Sequence, residues 1–199
     1  MKIQGSEARR QLRRRILEGA GLAALGASPL AARWQPAVAA PQRIPTPRQS
    51  LGPFYPDDWS GDADADLVVV RGEAARALGT VAHVRGRVVD TDGRPLAGAF
   101  VEIWQCDANG IYRHPRDRGQ GRRDSGFQGR GQVRAADDGA WAFRTIRPVP
   151  YPGRTPHIHF YVRTVDGREL ITQLYVAGEP GNERDFLLNH NAPVHRGAY

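Results

Sequence analysis

The sequence contains a single cysteine, Cys106, among its 199 residues. One thiol allows no internal disulfide and supplies none of the paired cysteines of a zinc ribbon or a CxxC redox motif. A long apolar run is also missing. The most apolar stretch, residues 16–30, is short and rich in glycine and alanine, whereas a membrane helix needs about 20 predominantly apolar residues. We therefore expect neither a disulfide scaffold nor a stable membrane span after processing.

The body of the chain also has little excess charge. The formal net charge is +7, but residues 1–39 contain seven basic and two acidic residues and so account for an excess of five. The remainder carries only +2. Nucleic-acid-binding domains concentrate lysine and arginine in a basic patch or stripe. We therefore predict no nucleic-acid partner.

The first 39 residues are typical of an export signal. An arginine-rich run at residues 9–15 precedes the weakly apolar stretch, and Ala37-Val38-Ala39 is a candidate cleavage site. Twin-arginine registers begin at Arg9 and at Arg13. The pattern predicts twin-arginine-type export to the periplasm or the cell exterior. An amphipathic or disordered tail with a chance arginine cluster is the alternative.

Glycine and proline are abundant, with 23 and 15 copies, which favours a turn-rich β fold. Residues 40–66 are predicted to form a proline-rich linker and a lead-in segment, of which 49–56 pack across the following domain. Residues 67–199 are predicted to form that domain. Within it, 67–70 are a short strand or an extended arm, and 183–188 a helical turn. The long Gly- and Arg-rich loop at 113–130 is functional or mobile.

Six alternating runs in the domain indicate β-strands. Asp-Gly pairs at 92–93, 138–139 and 166–167 each separate two of these runs. Asp-Gly between alternating runs is the strongest short-range hairpin signal, so three hairpins are predicted. The expected fold is all-β, an antiparallel β-sandwich with long active-site loops.

The densest cluster of reactive side chains lies in residues 148–160. His157 and His159 are two positions apart in a predicted strand, so both imidazoles project from one face. Ile158 and Phe160 then project from the other face into a core. Tyr151 and a candidate catalytic cation, Arg154, lie just upstream. The pattern indicates half of a metal site.

Tyr112 follows a turn at residues 107–110 and is predicted to lie just past a sheet edge. With Tyr151 it adds two phenols to the two imidazoles of His157 and His159. Phenolates are hard oxygen donors and imidazole is a borderline donor, so the set suits non-haem Fe(III). The charge of such an ion would hold both phenols deprotonated.

Taken singly, these residues have ordinary structural explanations. The histidines could be hydrogen-bonded without a metal, the tyrosines could be packing residues, and Arg154 could be a surface arginine. Trp104 is predicted to fill the core and Cys106 to be a small buried hydrophobe. The remaining histidines have no partner pattern and are predicted not to be ligands: His83, His114, His190 and His195.

Four motifs together resemble a known family. They are W-Q-x-D-x-x-G-x-Y ending at Tyr112, R-P-x-P-Y-P around Tyr151, R-x-P-H-I-H-F from Arg154, and L-x-T-Q ending at Gln173. This combination resembles the intradiol ring-cleavage dioxygenases, which include protocatechuate 3,4-dioxygenase and catechol 1,2-dioxygenase. The resemblance covers roughly residues 50–180.

The resemblance implies a role for each matching residue. Tyr112 would be the tyrosinate that stays on the iron, and Tyr151 the axial tyrosinate that leaves when substrate binds. His157 and His159 would be the histidine ligands. Arg154 would stabilise negative charge on the substrate, and Gln173 would lie near it.

The implied reaction cleaves a catechol-type ring with O2 between its two hydroxylated carbons and yields a muconate-type dicarboxylic acid. No organic cofactor is implied. The alternative is a non-catalytic, transthyretin-like β-sandwich that serves as a binding module. The preferred catechol and the oligomeric state stay open, a homo-oligomer included. So does the role of the arginines in the 113–130 loop, which could attract a carboxylated catechol or simply be solvated.

Overall fold

The structure is a computed structural model that describes residues 43–119 and 121–190. The predicted export signal at 1–39 and the C-terminal residues 191–199 lie outside the described residues. The described chain forms six strands, a 3-10 helix and a short α-helix: β1 (Val81–Arg87), β2 (Phe100–Trp104), β3 (Arg130–Arg134), β4 (Ala140–Ile146), β5 (His157–Arg163), β6 (Glu169–Tyr175), the 3-10 helix Pro180–Arg184 and α1 (Phe186–His190).

The strands form two antiparallel sheets, which confirms the predicted all-β class. β1 pairs with β4, and the larger sheet has the order β3-β2-β5-β6. The two sheets share one apolar core, since side chains from both belong to a single buried cluster: Val101, Ile103, Phe143, Ile146, Ile158 and Phe160. The arrangement is therefore a sandwich with one apolar layer between two sheets.

Two of the three predicted hairpins are wrong. The hairpin at Asp166-Gly167 is confirmed, because β5 and β6 pair in register from His157↔Tyr175 to Arg163↔Glu169. At the other two Asp-Gly pairs the turns form, but β1 pairs with β4 and β2 pairs with β3. An Asp-Gly turn sets only a local reversal of the chain. At each of these two turns the flanking strands belong to opposite sheets, and both bury apolar side chains in the shared core. The chain therefore crosses the sandwich at the turn.

The segment at 67–70 is an extended arm and not one of the strands. Its backbone bonds to β4 through Leu67 N–H and the Arg144 carbonyl, at 2.8 Å. Leu67 and Val68 are fully buried in the core. The chain just before the arm passes so close to β3 that a Cβ on Gly131 would lie 2.5 Å from the Asp64 carbonyl oxygen. Only glycine permits this approach.

The lead-in segment packs across the larger sheet, as predicted. The Gln49 N–H donates to the Ile171 carbonyl at 2.7 Å, which ties the segment to the edge strand β6. Further along, Tyr55 donates its hydroxyl to Glu102 Oε2 at 2.8 Å. Leu51, Phe54 and Tyr55 cover a second buried cluster on this face.

The predicted helical turn at 183–188 is confirmed, although the helical structure already begins at Pro180. Asp185 lies between the 3-10 helix and α1. Among the described residues, no helix has the length and apolar character needed to cross a membrane.

Candidate active site

Strand alternation in β5 places the two predicted histidines on the outer face of the larger sheet. Ile158 and Phe160 point into the shared core, as predicted, while His157 and His159 point away from it. The register aligns His159 with Trp104 on β2 and with Gln173 on β6. One face of three neighbouring strands therefore gathers the imidazoles, the indole and the amide.

A tight turn places Tyr151 beside Arg154. The Arg154 N–H donates to the Tyr151 carbonyl at 2.9 Å. Pro152 and Gly153 occupy the two central positions, and Gly153 has φ +83°. Proline followed by glycine at positive φ defines a type II turn. The phenol and the guanidinium are thus neighbours because of local turn chemistry, and the chain then leads directly into β5.

A second turn brings Tyr112 to the same place. The Asp107 carboxylate accepts the N–H groups of Asn109 at 2.9 Å and Ile111 at 3.0 Å, which orders the turn. Gly110 in this turn faces Tyr151: a Cβ there would lie 3.6 Å from the Tyr151 Cβ. Tyr112 itself is 2% exposed.

The four predicted ligands lie together. The Tyr112 Oη is 3.3 Å from His157 Nε2, which is 3.2 Å from His159 Nε2. The Tyr151 ring centroid is 5.4 Å from that of Tyr112 and 5.5 Å from that of His157. Donor atoms that share one metal at about 2 Å and a right angle lie about 3 Å apart. The spacing of these three donor atoms fits one metal ion.

The hydrogen bonds and burial of the histidines also fit a metal ion. The His157 Nδ1–H donates to the Thr155 carbonyl at 2.7 Å, which leaves the Nε2 lone pair pointing at the cluster. Burial, with Arg154 adding to it, lowers the pKa of His157 to about 4. Burial likewise holds the pKa of His159 well below its usual range. Both imidazoles are therefore neutral at neutral pH, the form that binds metals.

The phenols require a strong positive charge to ionise. Burial raises the pKa of Tyr112 well above its usual value and also raises that of Tyr151, and the charge of Arg154 only partly opposes the increase. A highly charged cation is the kind of group that reverses this. Within residues 43–119 and 121–190, no group of three or more His, Cys, Asp and Glu side chains could hold a metal ion. The phenols are essential to the candidate donor set.

Arg154 and Gln173 also lie together. The Arg154 Nη2 donates to Gln173 Oε1 at 2.6 Å and to the Tyr175 hydroxyl at 3.3 Å. The Arg154 Nε donates to Asp185 Oδ2 at 2.8 Å. Sequence reasoning missed Tyr175 and Asp185. An aspartate just before a short helical run is a recognisable N-cap signal, but nothing in the spacing links it to Arg154.

Two aromatic residues form walls of the site. Trp104 is buried, as predicted, and its indole stacks on the His159 imidazole with centroids 4.8 Å apart and planes 10° from parallel. Phe54 stacks on Tyr112 at 4.9 Å. The contact of Trp104 with a site residue follows from the pairing of β2 with β5 and was missed from the sequence. Cys106 is buried beside Tyr112, as predicted.

The other described histidines do not join the four donors. His114 is buried beside Phe54 and accepts the Arg116 N–H at its Nδ1. His83 and His190 are exposed, and His195 lies outside the described residues. In the 113–130 loop, Phe127 and Gln128 are buried. Five of the six arginines in residues 113–130 are exposed, and Arg130, the first residue of β3, is buried. The exposed five are Arg113, Arg116, Arg118, Arg122 and Arg123.

Comparison with known proteins identifies the family. A family model described as "Dioxygenase" matches residues 51–191. The chain is 35% identical over 141 residues to the protocatechuate 3,4-dioxygenase beta chain of Burkholderia cepacia, covering 67% of this chain and 60% of that protein. It spans 46% of the hydroxyquinol 1,2-dioxygenase of Corynebacterium glutamicum, at 32% identity.

Two solved structures support the same assignment. The first is the dioxygenase domain of a dioxygenase and carbohydrate-binding protein fusion from Streptomyces sp. SirexAA-E. It superposes with a TM-score of 0.59 at 35% identity and covers 72% of this chain and 82% of that one. The second is an intradiol ring-cleavage dioxygenase from Tetranychus urticae, with a TM-score of 0.58 at 25% identity, covering 73% and 80%. The chain belongs to the intradiol ring-cleavage dioxygenase family.

Proposed function

We propose that this chain is a non-haem Fe(III) dioxygenase that cleaves a catechol-type ring with O2 between its two hydroxylated carbons, giving a muconate-type dicarboxylic acid. The observation that carries the proposal is the position of His157 Nε2, which lies 3.3 Å from Tyr112 Oη and 3.2 Å from His159 Nε2, with the Tyr151 ring adjoining them. These four residues would hold the iron. Bound Fe(III) supplies a Lewis acid that lowers the pKa of both catechol hydroxyls and activates the ring toward O2.

The two tyrosines differ in a way that assigns them different tasks. Tyr112 is 2% exposed and lies under Phe54, so it has no room to swing out. Tyr151 is half-buried in a turn at the edge of the site. Tyr151 would thus be the phenol with room to move aside when substrate binds, and its Oη would then take a proton from a catechol hydroxyl.

Arg154 supplies the positive charge for the reaction. It follows Tyr151 in the same turn, and its side chain is 7% exposed. A fixed cation in a site shielded from water strongly stabilises negative charge that develops on a bound ring. Gln173 holds Arg154 through Oε1, while its Nε2 has no partner among the described residues. In this proposal the Gln173 Nε2–H group donates to the substrate.

The names of the relatives suggest candidates for the substrate. They include enzymes named for protocatechuate, hydroxyquinol and catechol. All three compounds carry adjacent ring hydroxyls, so the proposed substrate class is a catechol. Export through residues 1–39 remains a proposal that the sequence pattern supports.

Oxygen uptake by the purified, iron-loaded protein tests the proposal. The visible spectrum should show the red-brown band of tyrosinate-to-Fe(III) charge transfer. Catechol, protocatechuate and hydroxyquinol should be offered in turn, with the product identified by mass and by incorporation of labelled oxygen. A ring-opened dicarboxylic acid carrying both oxygen atoms is expected from at least one compound. A colourless protein with stoichiometric iron and no oxygen uptake would instead indicate a non-catalytic binding module.

A further inference from the structure

Arg154 is held from two sides. Its Nη2 contacts the neutral groups Gln173 Oε1 and the Tyr175 hydroxyl, whereas its Nε donates to the Asp185 carboxylate at 2.8 Å. The Arg154 and Asp185 side chains are 7% and 0% exposed. Among the ion pairs of the described residues, this is the one with both side chains buried. Removing one partner of a buried pair leaves the other charge uncompensated.

Asp185 divides its two oxygens between two structures. Oδ2 accepts the Arg154 Nε–H and the Thr155 backbone N–H, the latter at 3.0 Å. Oδ1 accepts the N–H groups of Leu187 at 3.1 Å and Leu188 at 3.0 Å, at the start of α1. One oxygen therefore faces the candidate active site, and the other caps the C-terminal helix.

The Thr155 contact extends the influence of Asp185 to the metal donors. Thr155 lies between Arg154 and His157, and its carbonyl fixes the His157 ring through Nδ1–H. The same carboxylate oxygen that binds the Arg154 side chain thus also anchors the backbone of the residue that orients a predicted ligand. Phe186 lies next to Asp185, with its ring 5.8 Å from the Arg154 Cζ, and covers the guanidinium from outside.

We propose that Asp185 is a positioning residue for ring cleavage, which fixes the Arg154 guanidinium against the substrate site. This role rests on the function proposed above. Asp185 touches neither substrate nor metal; it acts mainly through Arg154, and its contact with Thr155 is a smaller, separate support of His157. Without the carboxylate, neutral contacts alone hold Arg154, and its charge is free to turn toward water. The helical segment after β6, which contains Asp185, then contributes to the function of the site.

The simpler explanation is that Asp185 only caps α1. Substitutions can separate the two roles, because Ser, Asn and Asp are about equally good N-caps. Asp185→Ser keeps a cap oxygen but is too short and uncharged to bind Arg154. Asp185→Asn keeps the length but loses the charge and one of the two acceptor oxygens, so its amide oxygen can serve either Arg154 or the cap of α1 and not both. Glu179→Gln is the matched control, since it removes an exposed ion pair with Arg147 in the same segment.

Steady-state kinetics on iron-loaded protein measure the effect. In Asp185→Ser the kcat should fall by about 10- to 100-fold, the usual cost of losing a supporting contact around a metal site. KM should change much less, because the charge acts after binding. Asp185→Asn should be intermediate, and Glu179→Gln should match the wild type. An unchanged kcat in Asp185→Ser overturns the proposal.

A second background separates positioning from a general effect on the fold. In Arg154→Ala, a further Asp185→Ser change should lower kcat much less than it does in the wild type, since no guanidinium remains to be positioned and only the Thr155 contact is lost. If Asp185→Ser lowers kcat by the same factor in both backgrounds, Asp185 acts independently of Arg154 and the proposal is overturned.

A crystal structure of Asp185→Ser gives a readout that does not depend on turnover. The Arg154 guanidinium should leave its place beside Gln173 and Tyr175, with α1 retained. A guanidinium that stays in place overturns the positioning role whatever the activity. If the wild type consumes no oxygen with any catechol, the proposed function fails. The position of the Arg154 guanidinium in the Asp185→Ser crystal structure then still shows whether Asp185 holds it in place.

Discussion

The two faces of the larger sheet are both buried, yet they consist of different chemistry. On the inner face, Ile158 and Phe160 of β5 are 0% and 5% exposed in an apolar core. On the outer face, His157 and His159 of the same strand are 1% and 2% exposed. Burial therefore does not separate structural from functional residues in this protein. The distinction lies in what buries them, and in whether their polar atoms are left available.

The covers of the two faces explain this difference. The inner face is closed by the β1–β4 sheet through apolar side chains. The outer face is covered by the lead-in segment and by loops that bring phenols and a guanidinium. The Gln173 Nε2, on the residue that holds Arg154, has no partner among the described residues. An unpaired buried polar group is costly, so it points to a face shaped for a ligand.

The largest expected effect comes from His159→Ala on the outer face. Loss of a metal donor should remove iron and with it several kcal/mol of catalysis, so oxygen uptake should fall by more than about 1000-fold. The iron-free fold should lose the stacking of His159 on Trp104, about 0.5–1.5 kcal/mol, in addition to the burial of the imidazole itself. Iron content, oxygen uptake and urea unfolding of the iron-free proteins measure these effects. A variant that keeps full iron and activity would contradict the ligand assignment.

The adjacent residue on the inner face should behave in the opposite way. Ile158→Ala leaves a cavity in the core and should cost about 2–5 kcal/mol of unfolding free energy, with Ile158→Val costing only about 0.5–1.5 kcal/mol. The fraction that stays folded should still bind iron and consume oxygen. Urea titrations of both variants at low temperature provide the measurement. Loss of iron without loss of stability would show that the two faces are not independent.

The smallest effect concerns Glu102, a buried carboxylate in the middle of the outer face. Burial raises its pKa, against the opposing hydrogen bond from Tyr55. The folded state favours the protonated form of Glu102. The stabilisation from this carboxyl is therefore fully present below the pKa that Glu102 has in the unfolded chain, and it is lost as pH rises through the raised pKa of the folded state. The unfolding free energy of wild type minus that of Glu102→Gln should therefore decrease with rising pH from about 4 upward. A difference that stays flat or increases would contradict this account.

The site was more accessible to sequence reasoning than the pairing of strands. The sequence predicted five site residues because strand alternation, a Pro-Gly turn and short motifs each involve residues close together in the chain. These residues are Tyr112, Tyr151, Arg154, His157 and His159. The structure places all of them together. The pairing of β1 with β4 was not predictable from the Asp-Gly turns, since each turn specifies only its own few residues.

The amino-acid pattern was sufficient to locate all six strands, to separate the two faces of β5 and to nominate the four donors. It could not place Trp104 against His159 or Asp185 against Arg154. The physical reason is the range of each interaction. Side-chain alternation and turn geometry depend on neighbours in the chain, whereas strand partners and buried ion pairs depend on which distant surfaces are brought together when the sandwich closes.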